Sequence, residues 1–360
     1  MKKYIFISFF NSYPITSGAS AVTTSLFENF PAKNKYLIQM SHEKFVKKKN
    51  IFNIKINNNF KISKVIKILN ILSILKRIIR ASDKKIFIFE GASWVGYSLL
   101  TFTLFKIFYK KATFVYHSHN VDLEFNRGYL FHKINFLIEK IIFNKFDITT
   151  AVSEKDKKII KKEYNAYSVI IENSLEFNKK FIKKFKYENF IFFSGSIEFL
   201  ENKISFEKLL YDLLPKVQNI KKNLKIVLTG SNLFKNKENK NIKNLGRISY
   251  EKYLINLKKS FLAIYWMRKG PGTKIKIIES LGYNKIVFAN KFAISGLKLK
   301  HKKLILFSTT EELISKIKKV IKNYNVYQNK FDKIGLYVRD NYDAKKISLK
   351  FFNLIEKKLN

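Results

Sequence analysis

Short runs that are apolar nearly throughout recur along this chain, separated by stretches of helical periodicity. Candidate strands in the first half are Tyr4–Phe9, Lys85–Phe89, Ala112–Tyr116 and Asp147–Val152. The second half offers Asn189–Phe193, Leu224–Thr229, Phe261–Trp266 and Lys285–Ala289. Between them lie helical patterns such as Ile62–Ile79, Phe206–Leu214, Thr273–Leu281 and Glu311–Ile321. A strand with one wet face alternates apolar and polar residues, whereas a strand apolar on both faces is covered on both. That is the condition of a parallel sheet between two helix layers. The expected class is α/β, with doubly wound parallel sheets.

The pattern restarts near residue 189. Asn178–Glu188 is polar and basic, and Phe190-Ile191-Phe192-Phe193-Ser194-Gly195 then reads as a strand entering a glycine turn. A length of 360 residues and 46% apolar content suit two cores. The expected division is a Rossmann-like domain over 1–185, a second over 186–340, and an amphipathic helix in 341–360 packing back on the first. Two such domains in tandem put a cleft between them, and ligands of doubly wound sheets bind outside the carboxyl ends of the strands.

A formal charge of +43 invites a nucleic-acid or membrane partner. The lysines, however, are spread along the whole chain among abundant Asn, Ile and Phe, the mixture that an AT-rich coding sequence produces. They do not gather into one stripe and no RNP1-like motif is present, so no nucleic-acid partner is expected. Ile62–Arg80, Tyr97–Lys111 and Tyr129–Lys145 are both apolar and basic. Such helices either pack on a sheet or lie on an anionic membrane surface. With no cysteine there is neither a disulfide framework nor thiolate chemistry. The five histidines (His42, His117, His119, His132 and His301) contain no His-x3-His pair, so no metal site is expected. Met1–Phe10 mimics a signal peptide, but Asn11-Ser12-Tyr13-Pro14 interrupts the apolar run, and Tyr4–Phe9 reads better as a buried first strand. No apolar run is long enough to span a bilayer, and the expected location is cytoplasmic, with peripheral attachment to the inner face of the membrane as an option.

The most informative segment runs from Tyr265 to Gly282. A strand ends, the turn Arg268-Lys269-Gly270-Pro271-Gly272 follows, and a helix starts at about Thr273. Free N–H groups and the positive end of the helix dipole make such a place an anion site. Gly270 and Gly272 allow close backbone approach to a diphosphate, while Arg268, Lys269 and Lys274 add charge. Glu279, about two turns into the helix, is placed to accept bonds from ribose hydroxyls. A plain strand–turn–helix with a solvated glutamate is the competing reading. In the first half, His119 follows a candidate strand, where imidazole can bond a sugar hydroxyl or polarise a reacting centre. A buried structural histidine is the alternative. Gly18, past the first strand, either lets its loop lie against a diphosphate or simply opens a helix. Gly195 ends a candidate strand, Gly246 is either a turn glycine or a close approach to the diphosphate, and the guanidinium of Arg247 suits phosphate or a base edge.

The run Gly-Pro-Gly-Thr-Lys-x-Lys-x-x-Glu-Ser-Leu-Gly, ahead of Lys285–Asn290 and Ser295-Gly296-Leu297, resembles the donor-site signature of glycosyltransferase family 4. Other segments agree in the family's order. Phe192–Ser196, with Asn202 and Pro215, resembles the opening of its C-terminal domain, and Leu245–Ile248 the segment before the donor site. Asp147–Asp156 resembles the end of its N-terminal domain. Tyr116–Asp122 resembles its His-Asn-x-Glu loop, with Asp122 in place of Glu. The resemblance spans roughly 1–340 and implies the GT-B fold. It also implies transfer of a sugar from a nucleotide-sugar donor to a glycan or lipid-linked acceptor in cell-surface glycan assembly, with retention of configuration and without metal or other cofactor. It makes Gly18, Gly195, Arg247, Arg268, Gly270, Gly272, Thr273, Lys274 and Glu279 donor residues, and His119 catalytic.

The chain also departs from that family. Many members carry a second glutamate where Pro271 stands here, and the N-terminal glycine pair is reduced to Ser17-Gly18-Ala19. No Arg-Lys pair follows Gly195, and Lys203 is the candidate substitute. Two other readings stay open: a basic nucleic-acid-binding protein, and a GT-B scaffold without activity.

Overall fold

The computed structural model describes residues 1–41, 48–56, 61–121, 129–183, 185–230, 240–268 and 272–359. Contacts divide them into two compact units, Met1–Glu176 with Pro271–Thr273 and Asp343–Asn360, and Phe177–Gly270 with Lys274–Tyr342.

The first unit is built on seven strands: β1 (Lys2–Ser8), β2 (Lys35–Ser41), β3 (Ile51–Lys55), β4 (Lys84–Gly91), β5 (Thr113–Ser118), β6 (Ile148–Ala151) and β7 (Val169–Ile170). Their order is β3-β2-β1-β4-β5-β6-β7 and every pairing is parallel. The chain therefore winds outward from β1 in one direction and restarts beside β1 with β4. This reversal is the switch point at which doubly wound sheets open a crevice. Strand residues alternate between two cores. Ile5, Ile7, Phe87, Phe89, Phe114 and Tyr116 face one cluster, while Tyr4, Phe6, Ile86, Ile88 and Val115 face the other. Apolar residues on both faces are the reason the strands read as uninterrupted runs.

Five helices follow the strands: α1 (Gly18–Asn29), α2 (Lys61–Ile78), α3 (Val95–Phe108), α4 (Tyr129–Lys145) and α5 (Glu154–Tyr164). α2, α3 and α4 cover the first core. α1 covers the second with the C-terminal helix Ala344–Leu359, which contributes Ile347, Phe351 and Ile355. Glu356 of that helix accepts from Tyr4 and pairs with Lys2 at 2.5 Å.

The second unit carries β8 (Phe190–Ser194), β9 (Lys225–Thr229) and β10 (Ile242–Asn244) in a parallel sheet, and a parallel pair, β11 (Ala263–Tyr265) with β12 (Val287–Ala289). A bridge between Ile191 and Leu262 ties β8 to the approach to β11. The helix expected over Phe206–Leu214 is a composite of α6 (Leu200–Glu207), a π-helical stretch Lys208–Leu213 and α7 (Leu214–Gln218). Pro215 explains the break, because its ring has no N–H to donate and crowds the carbonyl a turn earlier, so the turn before it widens. α8 (Tyr250–Lys259), α9 (Ile275–Gly282), α10 (Thr310–Lys322) and α11 (Tyr324–Asn341) complete the frame. Expected to start at about Thr273, α9 starts at Ile275, with Lys274 as its extended N-cap. The far end of α9 is held by cationic and amide donors. Lys258 donates to the Tyr283 carbonyl at 2.8 Å, Gln328 to that of Asn284 at 2.6 Å, and Arg339 to that of Gly282. Positive groups at a helix C-terminus complement its dipole, so this side of α9 is fixed and Glu279 with it.

Among the described residues no helix is long and apolar enough to cross a membrane.

Candidate functional site

In the first unit the polar residues gather at the carboxyl ends of β1, β4 and β5. Parallel register sets Ser8, Glu90 and His117 side by side across the three strands. Glu90 is buried, and one of its oxygens, Oε2, is shared three ways. Thr23 of α1 donates to it at 2.9 Å, His117 Nδ1 lies at 3.1 Å and His119 Nε2 at 2.6 Å. The neighbouring imidazoles, by charge and hydrogen bond, outweigh the burial that opposes ionisation and hold the Glu90 carboxyl well below its ordinary range. For His119 burial outweighs the attraction of Glu90 and lowers the imidazole below its ordinary value. Glu90 Oε2 thus accepts the Nε2–H of His119. Glu90 Oε1 and His117 Nε2 are buried and have no partner among the described residues.

The three residues have the composition of a two-histidine, one-carboxylate metal site, and their ligand atoms lie within 4.8 Å of one another. The His-x3-His rule could not find this grouping, because Glu90 comes from a different strand. As arranged, the carboxylate oxygen itself sits between the rings and satisfies them directly.

Gly272 and Thr273 group with this unit. Gly272 has a φ of +65°, and a Cβ there would stand 2.8 Å from the His119 carbonyl oxygen, so glycine is required on both counts. Asn173 donates to Thr273 Oγ1 at 2.6 Å. His119, Gly272 and Thr273 are thereby brought together. Gly18 is the first residue of α1, behind the cap made by Ser17 and Ser20, and α1 is the helix that sends Thr23 to Glu90. Lys269, Gly270 and Pro271 lie outside the described residues, as does Asp122.

In the second unit the strand ends are closed by glycine backbone. Gly195 and Gly230 both have φ of +145°, and a Cβ on Gly230 would come within 2.4 Å of the Gly195 carbonyl. Gly230 N–H donates to the Gly246 carbonyl at 3.0 Å, and Thr229 Oγ1 donates to the same carbonyl at 2.7 Å. The ends of β8, β9 and β10 thus meet backbone to backbone, with exposed Arg247 following at the rim. Gly230 was not singled out in the sequence, where it is a lone glycine before a polar stretch.

Glu279 is buried on α9, and its Oε1 accepts from Tyr250 Oη, while Tyr253 also bonds the carboxylate. Burial pushes its carboxyl up to about 7, and the two phenols only partly oppose the rise. Tyr250 and Tyr253 stack with ring centroids 5.9 Å apart. Neither tyrosine was expected at the site. Their i, i+3 spacing at the start of α8 is the signal that could have found them.

Lys274 caps α9, and two residues on, half-buried Lys276 lies over the Phe193 and Tyr265 rings, 3.4 Å from Asn202 Oδ1. Burial, helped by Lys274, lowers it to about 8. Lys203, the expected substitute for the missing Arg-Lys pair, points to solvent and lies 3.9 Å from Glu207. Arg268 is partly exposed and pairs with Glu201 at 3.1 Å.

Neither a protein-family model nor a curated protein sequence matches the chain. Solved structures match it along their whole length. HepE from Anabaena, crystallised with UDP, superposes with a TM-score of 0.67 at 12% identity, over 99% of this chain and 100% of its own. WaaG, a glycosyltransferase involved in lipopolysaccharide biosynthesis, gives 0.67 at 10% identity over 98% and 99%. An alpha-glucosyltransferase in complex with UDP and a 13-mer DNA containing an HMU base gives 0.66 at 13% identity over 99% of both. At these identities the likeness is one of fold, and the chain has the GT-B fold of these glycosyltransferases.

Proposed function

We propose that the chain transfers a glycosyl group from a nucleoside-diphosphate sugar to a hydroxyl of a glycan or lipid-linked glycan. The observation that carries this is Glu279, a buried carboxylate anchored by two tyrosines on a helix whose far end is fixed. It stands in the segment that resembles a donor signature. In this reading Glu279 accepts the ribose hydroxyls, and Arg247 meets the base or a phosphate. Gly195 lets backbone approach the diphosphate, a part that the resemblance implies for Gly18, Gly270 and Gly272 as well. Arg268 exchanges Glu201 for the diphosphate. With Lys274, Lys276 and the α9 N-terminus it neutralises the leaving group, an electrostatic role that needs no metal. Lys276, in place of Lys203, takes the part of the missing basic pair.

His119 is the catalytic residue of this reading. Glu90 fixes the Nε2–H tautomer, which leaves Nδ1 as an acceptor for a sugar hydroxyl. Retention of configuration belongs to the same proposal. Calorimetry with UDP, GDP and their sugars on wild type and Glu279→Gln tests the donor half. Absence of binding by any nucleotide sugar to the folded wild type would overturn it.

A second reading of the acceptor is a hydroxylated base in DNA. The charge of +43 and the fold likeness to a glucosyltransferase crystallised with DNA favour it. Competing hydroxymethylated duplex against oligosaccharide acceptors, with one donor, separates the two.

A further inference from the structure

We infer that the outer faces of α2, α3 and α4 form a docking surface for an anionic lipid membrane. The three helices lie side by side, α3 contacting both others, over one core cluster of the first sheet. Their inner faces are spent on that core, and their outer faces are also apolar. Ile66 and Leu69 on α2 are 62% and 60% exposed, Ile107 and Phe108 on α3 are 63% and 61% exposed, and Leu137 and Ile141 on α4 are 58% and 43% exposed. A helix layer that only covers a sheet buries one stripe and turns charge to water. α10 does so, burying Leu313, Ile317 and Val320 with no large apolar residue exposed. Large apolar exposure repeated on three adjacent helices needs another explanation.

Charge selects the occupant. Lys76, Arg77, Lys106, Lys133 and Lys140 are exposed among these side chains. The only carboxylate in the three helices is Glu139, which is buried and accepts from Tyr164. A protein partner of either sign is ordinarily matched by mixed charge at its rim, whereas cations alone around an apolar centre match acyl chains under anionic headgroups. None of these helices can cross the bilayer, so the face lies on the membrane surface.

The test is flotation of the full chain with phosphatidylcholine vesicles, with and without phosphatidylglycerol. Three variants are compared with wild type: Ile66→Gln/Ile107→Gln/Leu137→Gln, Lys76→Gln/Arg77→Gln/Lys140→Gln, and, as a charge-matched control on α10, Lys318→Gln/Lys319→Gln/Lys322→Gln. The charge variant touches only exposed side chains and keeps the test readable if the apolar one misfolds. Wild type should bind the anionic vesicles and release them as salt rises, because the attraction decays over a Debye length. Either patch variant should bind at least about tenfold less, the charge variant because three cations are lost from the anionic surface and the apolar variant because inserted apolar area is lost, and the control should bind as wild type does. Equal loss in the control, or equal wild-type binding to neutral vesicles, would overturn the inference. So would a wild-type dimer that the apolar variant converts to a monomer without change in vesicle binding.

Discussion

Glu90 and Glu279 are both buried carboxylates in polar clusters, one in each unit, yet their protons are held in opposite ways. Glu90 receives two imidazoles and a hydroxyl on a single oxygen and stays ionised. Glu279 receives two phenols, whose support does not offset burial, and its carboxyl rises to about 7. Burial acts in the same direction on both. The partners decide the outcome: the imidazoles act on Glu90 by charge and by hydrogen bond, whereas the phenols offer Glu279 hydrogen bonds alone. The first arrangement suits a permanent anion that orients a histidine, and the second a carboxyl that ionises as a ligand arrives.

The largest effect expected from this contrast is on stability. Glu90→Ala strands Thr23, His117 and His119 in a buried site, and breaking such a cluster costs about 3–5 kcal/mol, read from urea unfolding. A loss below about 1 kcal/mol would mean the cluster is solvated. His119→Ala should next lower turnover about a hundredfold with little change in the donor dissociation constant, the scale of lost general acid–base assistance. Equal turnover in single-turnover assays would make His119 structural.

Glu279→Gln keeps an acceptor for Tyr250 but no charge, and donor affinity should fall about 10- to 100-fold. Stability against pH sharpens the comparison. The Glu279 carboxyl, at 4.5 when unfolded and about 7 when folded, adds stability at low pH that is lost as pH rises through that window, about 3 kcal/mol in all. The Gln variant removes the slope. Glu90 acts in the reverse sense: its stabilisation is present above its unfolded value of 4.5 and is lost only as pH falls below it. Identical pH profiles of stability for Glu90→Gln and Glu279→Gln would refute the contrast. The smallest expected effect is that of a chelator, which should leave activity unchanged. Stoichiometric metal on purified protein, lost in His117→Ala, would turn the first cluster into a metal centre.

Sequence patterning made the parallel sheets legible because each central strand is apolar on both faces. β2 was missed, since Gln39 interrupts its apolar run. The structure shows that amide buried and accepting from Ser12 and Tyr13 N–H, a role that depends on the loop after β1. β10 is three residues long and carries no readable period. At the site, the helix with Glu279 was legible from local spacing. Glu90 was not, because a lone acid at the end of Phe87-Ile88-Phe89 reads as a strand stop, and its partners come from strands and helices distant in sequence. Lys276 was passed over for a similar reason: nothing local distinguishes a lysine laid over two aromatic rings from its solvated neighbours.

The C-terminal helix that closes the second core of the first unit is made only after the whole of the second unit. During synthesis, Tyr4, Phe6 and Phe30 must wait for Ile347, Phe351 and Ile355, with only α1 over that face. At typical ribosomal rates the wait is on the order of ten seconds. The nascent first unit therefore spends that interval with an uncovered aromatic surface, which makes it a client for chaperones. A shortened chain lacking 344–359 would leave it in that condition permanently.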